Sequence, residues 1–162
     1  MKMAVLYHSK TGNTRQMADA IAQGMRSVAG AEVQTFSIDA VDVDYVKECR
    51  CVVIGGPIYY ATISAELKVW LDGASVKCGL KNKLGGAFAT ADYLHGGAEL
   101  GIRTILDHMM VLGMLTYSGG GAFGAPVIHL GPVALKEHLD QSREVFETYG
   151  QRMAGKALEL FG

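Results

Sequence analysis

Charge of either sign is scarce. Charged residues make up 19% of the 162, and the formal net charge is −1. That balance argues against nucleic acid as a partner, which calls for a basic face, and against an acidic protein that docks on basic partners. Long apolar runs are missing too: none approaches the roughly 20 residues of a membrane span. Too few residues precede Val5 for the charged and apolar regions of a signal peptide, so a cytoplasmic protein is the expectation. The cysteines, Cys49, Cys51 and Cys78, are odd in number, and no pair has zinc or redox spacing. Buried thiols are the plainer reading of an apolar run opened by Cys-x-Cys. No internal repeat or low-complexity linker divides the chain. No His and carboxylate cluster has metal-ligand spacing, so no metal site is expected.

What remains is an ordinary globule. Apolar residues are 49% of the chain, and 162 residues suit one domain, 1–162, with one core. "MAVLY" (Met3–Tyr7) is a short buried strand. A helical pattern follows, with Met17, Ile21, Gly24, Met25 and Val28 at steps of three and four. "AEVQTFSI" (Ala31–Ile38) alternates as a second strand. A short acidic stretch through Asp44 leads to a third strand, "CVVIGG" (Cys51–Gly56). Leu67, Trp70, Leu71 and Ala74 mark a helix, and "GGAFAT" (Gly85–Thr90) a fourth strand. A helix is expected over 98–111, then a fifth strand, "LGMLTY" (Leu112–Tyr117), continued by "APVIHL" (Ala125–Leu130). The last stretch, from Leu135 to Leu160, carries one apolar face of a long helix. Strands alternating with helices predict a parallel sheet covered on both faces, with every strand's C-terminal end on one rim. Ligands bind such sheets at that rim, where strand order reverses.

Three polar loops follow strands and therefore share the rim. "SKTGNT" (Ser9–Thr14) leads straight into a helix, whose free N–H groups and dipole suit phosphate. Its hydroxyls and Gly12 exceed what a single helix cap needs, which favours a phosphate site over a plain cap. The spacing of a nucleoside-triphosphate loop is absent. In "GGPIYYATIS" (Gly55–Ser64), Gly55, Gly56 and Pro57 predict a turn, and Tyr59 and Tyr60 either cap the core or stack on a planar ligand. In "ATADYLHGGAELG" (Ala89–Gly101), Gly96 and Gly97 let backbone N–H groups approach a flat heterocycle, or simply form a flexible turn.

In that order, the three loops resemble the flavodoxin-like family over nearly the whole chain. The His-Gly-Gly-Ala-Glu segment is most similar to its NAD(P)H:quinone oxidoreductases. The resemblance implies a doubly wound five-stranded parallel sheet, order 2-1-3-4-5, with helices on both faces. It also implies FMN at the rim. Ser9, Lys10, Thr11, Gly12, Asn13 and Thr14 would hold the ribityl phosphate. Pro57, Ile58, Tyr59, Tyr60, Ala61 and Thr62 would run along the isoalloxazine. Thr90, Ala91, Tyr93, His95, Gly96 and Gly97 would close the pyrimidine end. NADH or NADPH would be the electron donor. The partner would be a quinone-like small molecule or, in the alternative, a redox protein served by a flavodoxin-type carrier.

The flavin would carry the chemistry, so no catalytic side chain is required. His108 resembles a histidine near the relatives' quinone site. The segment after the second strand, which helps those relatives assemble, is short here; a homodimer or higher homo-oligomer stays open, and a tetramer is disfavoured. Ala61 stands where many relatives have glycine, and its methyl group should resist a peptide flip that the family's carriers use. "GGGAFG" (Gly119–Gly124) precedes a strand-like run rather than a helix, so it is read as a loop splitting the fifth strand and not as a dinucleotide motif. Met109, Met110, Met114 and Trp70 are read as core, and His129 as a core or rim residue.

Overall fold

The computed structural model describes residues 1–162. Its strands are β1 (Lys2–Tyr7), β2 (Glu32–Ser37), β3 (Cys51–Tyr59), β4 (Thr62–Ile63), β5 (Leu84–Ala91), β6 (Leu115–Thr116) and β7 (Val133–Leu135). The main helices are α1 (Asn13–Arg26), α2 (Val43–Glu48), α3 (Ala65–Asp72), α4 (Ala98–Val111) and α5 (Leu139–Phe161). The sheet runs β2-β1-β3-β5-β6 with parallel pairing throughout that path. It is an α/β fold with helices on both faces. Apolar residues of α3 and α4 form one core layer with one face of the sheet, and those of α1 and α5 form the other.

The expected five strands become seven. The expected fourth strand is β5. Of the expected fifth only β6 forms; β7, beyond the expected range, also pairs with β5, and a two-residue β4 folds back antiparallel on β3. Ala125–Leu130 is not a strand. Carbonyls of Gly119, Gly120, Gly124, Ala125 and Pro126 accept hydrogen bonds from the Arg152 guanidinium, and the sheet resumes only at Val133. The acidic stretch after the second strand ends in α2, which Asp42 caps by accepting from the Tyr45 N–H at 2.9 Å. Met109 and Met114 are core, but Met110 is half exposed. Trp70 is core, and the three cysteines are buried and free.

Two glycines of the terminal helix, Gly150 and Gly155, have different surroundings. A Cβ on Gly150 would overlap the Ile21 carbonyl of α1, and one on Gly24 of α1 would overlap the Glu147 carbonyl of α5. These two positions let α1 and α5 pack backbone to backbone. Gly155 has open space around it.

Candidate functional site

A cavity of about 730 Å³ opens on the rim between the loops that follow β1, β3 and β5. It lies where strand order reverses, between β1 and β3.

The first wall is the loop entering α1. Lys10, Thr11, Asn13 and Thr14 line it; Ser9 and Gly12 do not. Ser9 Oγ accepts from the Gly12 N–H at 3.1 Å and the Arg15 N–H at 3.3 Å, so it closes the loop on itself. Gly12 takes φ +94°, a left-handed conformation open to glycine at little cost, with open space where a Cβ would stand. The first turn of α1 has no acidic residue to oppose an anion. The Gln16 N–H is spent on the Gly12 carbonyl, while Asn13 and Thr14 remain first-turn donors. The Thr14 side chain is buried, and its hydroxyl is 2.8 Å from that of Thr90 at the end of β5. One bond therefore pins the first loop to the third.

Lys10 is drawn away from the loop. Its ammonium lies 2.5 Å from Glu66 Oε1 at the start of α3 and 5.6 Å above the Tyr59 ring. The contact holds the Glu66 carboxyl below its usual range and the Lys10 ammonium above its own. Behind the wall, buried His8 pairs through Nδ1 with Ser64 Oγ at 2.7 Å, and Ser64 caps α3.

The second wall departs from the sequence expectation. Gly55, Gly56 and Pro57 do not turn the chain; β3 runs straight through them to Tyr59. The glycines serve packing instead. A Cβ on Gly55 would overlap the Phe88 ring, and one on Gly56 would come 2.8 Å from Leu67 Cδ2. The turn falls on Tyr60 and Ala61, at φ 48° and 66°, between β3 and β4. Two left-handed residues in a two-residue hairpin make a type I′ turn, normally the place of Asn-Gly. Neither Tyr60 nor Ala61 is glycine, so the loop is strained, and it is strained at the cavity mouth. Pro57, Ile58, Tyr59, Tyr60 and Ala61 line the cavity, and Thr62 faces a neighbouring depression. Tyr60 is fully exposed and Tyr59 partly so, which rules out core capping.

The third wall supplies Thr90, Ala91, Asp92, Tyr93, His95 and Gly96. Gly97 lies behind it, at φ +88°, where a Cβ would come 2.6 Å from Ala61 Cα. It joins the second and third loops by backbone contact. Sequence reasoning missed two lining residues, Asp92 and Lys136. Asp92 sits inside the quoted third loop, and its charge was the available signal. Lys136 follows β7, and no local pattern marks it.

His108 is placed elsewhere. It lies near the C-terminal end of α4, roughly 15 Å along the helix from the cavity end. Its Nδ1 is 3.8 Å from Asp72 Oδ1, and Nε2 is buried without a partner. It does not line the cavity, and the expected substrate-side role has no geometric support. His129 touches the glycine-rich loop near Gly121. No group of three or more His, Cys, Asp or Glu side chains stands close enough to hold a metal ion.

This arrangement can seat an anion at the start of α1 and a flat ring between exposed aromatic side chains. A flavodoxin domain model matches residues 4–83. A flavodoxin of Clostridium saccharobutylicum is 44% identical over 161 residues, covering 99% of this chain and all of that one. The chain belongs to the flavodoxin-like family. That family binds FMN. An NAD(P)H dehydrogenase (quinone) of Paraburkholderia phymatum is also similar, at 30% identity over 204 aligned residues and 99% of both chains. Among solved structures, a flavodoxin from the domain Archaea superposes with a TM-score of 0.79 at 26% identity, covering 98% of this chain and 99% of that one. No helix of this flavodoxin-like chain is long and apolar enough to cross a membrane.

Proposed function

We propose that residues 1–162 form one FMN-binding domain that passes two electrons from NADH or NADPH to a quinone-like acceptor. The cavity volume and donor set fit FMN. Neutral donors of Thr11, Asn13 and Thr14 would take the phosphate at the start of α1, and Gly12 leaves room for it. Tyr59, Tyr60 and Tyr93 supply aromatic surface for the ring, and Ala91, His95 and Gly96 bound its far end. Bound FMN supplies the redox chemistry, taking electrons from a nicotinamide donor and giving them to the acceptor. The protein's part is to hold, orient and screen it.

One observation favours two-electron traffic: the turn at Tyr60 and Ala61. Reversing the peptide between them would convert the type I′ turn into type II′, whose first central position belongs to glycine. Tyr60 occupies that position. The backbone change on which the family's one-electron carriers rely is therefore costly here. The sequence expectation blamed Ala61; the obstacle is Tyr60, because Ala61 already carries a positive φ.

A carrier between protein partners is the second reading. The end-to-end match to a chain named flavodoxin favours it. Anaerobic mixing of the flavin-loaded protein with NADH or NADPH, followed by a benzoquinone, separates the two. Rapid bleaching and quinone-dependent consumption of the nicotinamide support the reductase. No bleaching over hours supports the carrier.

A further inference from the structure

We propose that Lys136 is the cation that recognises the cofactor's phosphate, and that it strengthens the site's preference for FMN over riboflavin. This rests on the FMN reading above. The register of β7 on β5 pairs Thr90 with Ala134 and Ala91 with Leu135. Lys136, the next residue, therefore leaves the sheet beside Asp92. Two ties bring this corner to the start of α1. Thr90 is bonded to Thr14 at 2.8 Å, and Gln16 Nε2 donates to Asp140 Oδ1, at the start of α5, at 3.2 Å. Lys136 lines the same cavity as Thr11, Asn13 and Thr14.

Charge bookkeeping singles this lysine out. A phosphate monoester carries between one and two negative charges near neutral pH. The neutral donors of the loop meet its hydrogen-bonding needs but not its charge. Lys10, the lysine within the loop, is held 2.5 Å from Glu66 Oε1, and its charge is locally cancelled. Lys136 makes no ion pair, and its side chain is exposed at the cavity. Asp92 is the carboxylate on the same wall. With Lys10 neutralised, Lys136 alone offsets Asp92. Without it the wall would face a phosphate with net negative charge. Hydrogen bonds to an ionised phosphate are charge-assisted whether the donor is neutral or cationic, so the loop's donors already favour FMN; Lys136 adds the counter-charge that they lack.

The test titrates the full chain, stripped of flavin, with FMN and with riboflavin, following flavin fluorescence. Wild type should bind FMN at least about tenfold more tightly than riboflavin. Lys136→Gln should lose about tenfold for FMN, the size of one charge-assisted hydrogen bond, and less than about twofold for riboflavin. Lys136→Arg should restore the preference. Lys77→Gln, the same change of net charge at an exposed remote turn, should leave it unaltered. An unchanged preference in Lys136→Gln overturns the proposal, as does equal loss for both flavins or a matching loss in Lys77→Gln. A wild-type chain that binds neither flavin overturns the FMN reading itself, and is distinguishable from these.

Discussion

Tyr60→Gly is the perturbation that bears most directly on electron count. Tyr60 and Ala61 alone link β3 to β4, both with positive φ, and Gly97 packs against the Ala61 backbone. Half a turn of the 60–61 peptide leaves Tyr60 with positive φ and an extended ψ, a region essentially confined to glycine. For a residue with a Cβ the cost is roughly 1–3 kcal/mol. Glycine removes that cost. If the flipped turn favours the one-electron level of a bound flavin, the first potential should rise by up to about 40–130 mV and the second fall by a similar amount. This follows from about 59 mV per tenfold for one electron. Tyr60→Ala is the matched comparison, since it also loses the ring but keeps the Cβ. Potentiometric titration of both variants with bound FMN reads the separation directly. Indistinguishable potentials in the glycine and alanine variants would refute the backbone reasoning and reduce Tyr60 to a side-chain effect.

Three further outcomes are expected. Thr11→Ala should weaken FMN binding tenfold to a hundredfold, since a hydrogen bond to a charged group is worth about 1.5–3 kcal/mol; unchanged affinity in a fluorescence titration would remove Thr11 from the site. Gly97→Ala combines a left-handed φ with overlap against Ala61, so urea denaturation should show a loss of about 2 kcal/mol or more, and a wild-type midpoint would show that the two loops separate at no cost. Burial pushes the Cys49 thiol up from 9.0 to about 12 and the Tyr45 phenol up from 10.0 to about 12. Both groups hold their protons longer folded than unfolded, so their stabilisation is complete below pH 9 and lost as pH rises toward 12. Urea midpoints should fall over that window, and Cys49→Ala should blunt the onset; an identical slope in the variant would count against the thiol's share.

Much of the fold was legible because helices and buried strands carry their own period. α4 spans the expected 98–111, and the first four expected strands are found to within a few residues. The loop Ser9–Thr14 reads as an anion site because it spends more hydroxyls than a cap needs, and four of its six residues line the cavity. Tertiary structure alone decided the rest. β6 and β7 have two and three residues, too few for an alternation, and they exist because β5 offers an edge to pair with. Gly55, Gly56 and Gly97 read locally as flexible turns, yet each is small because another element approaches it: Phe88, Leu67 and Ala61. Lys10 has no partner near it in sequence; its ion pair with Glu66, 56 positions on, is made by the fold. Lys136 has no local mark and reaches the cavity only through strand register. A residue's own period is written in its neighbours along the chain; its partners across the sheet are set by packing between segments far apart in sequence.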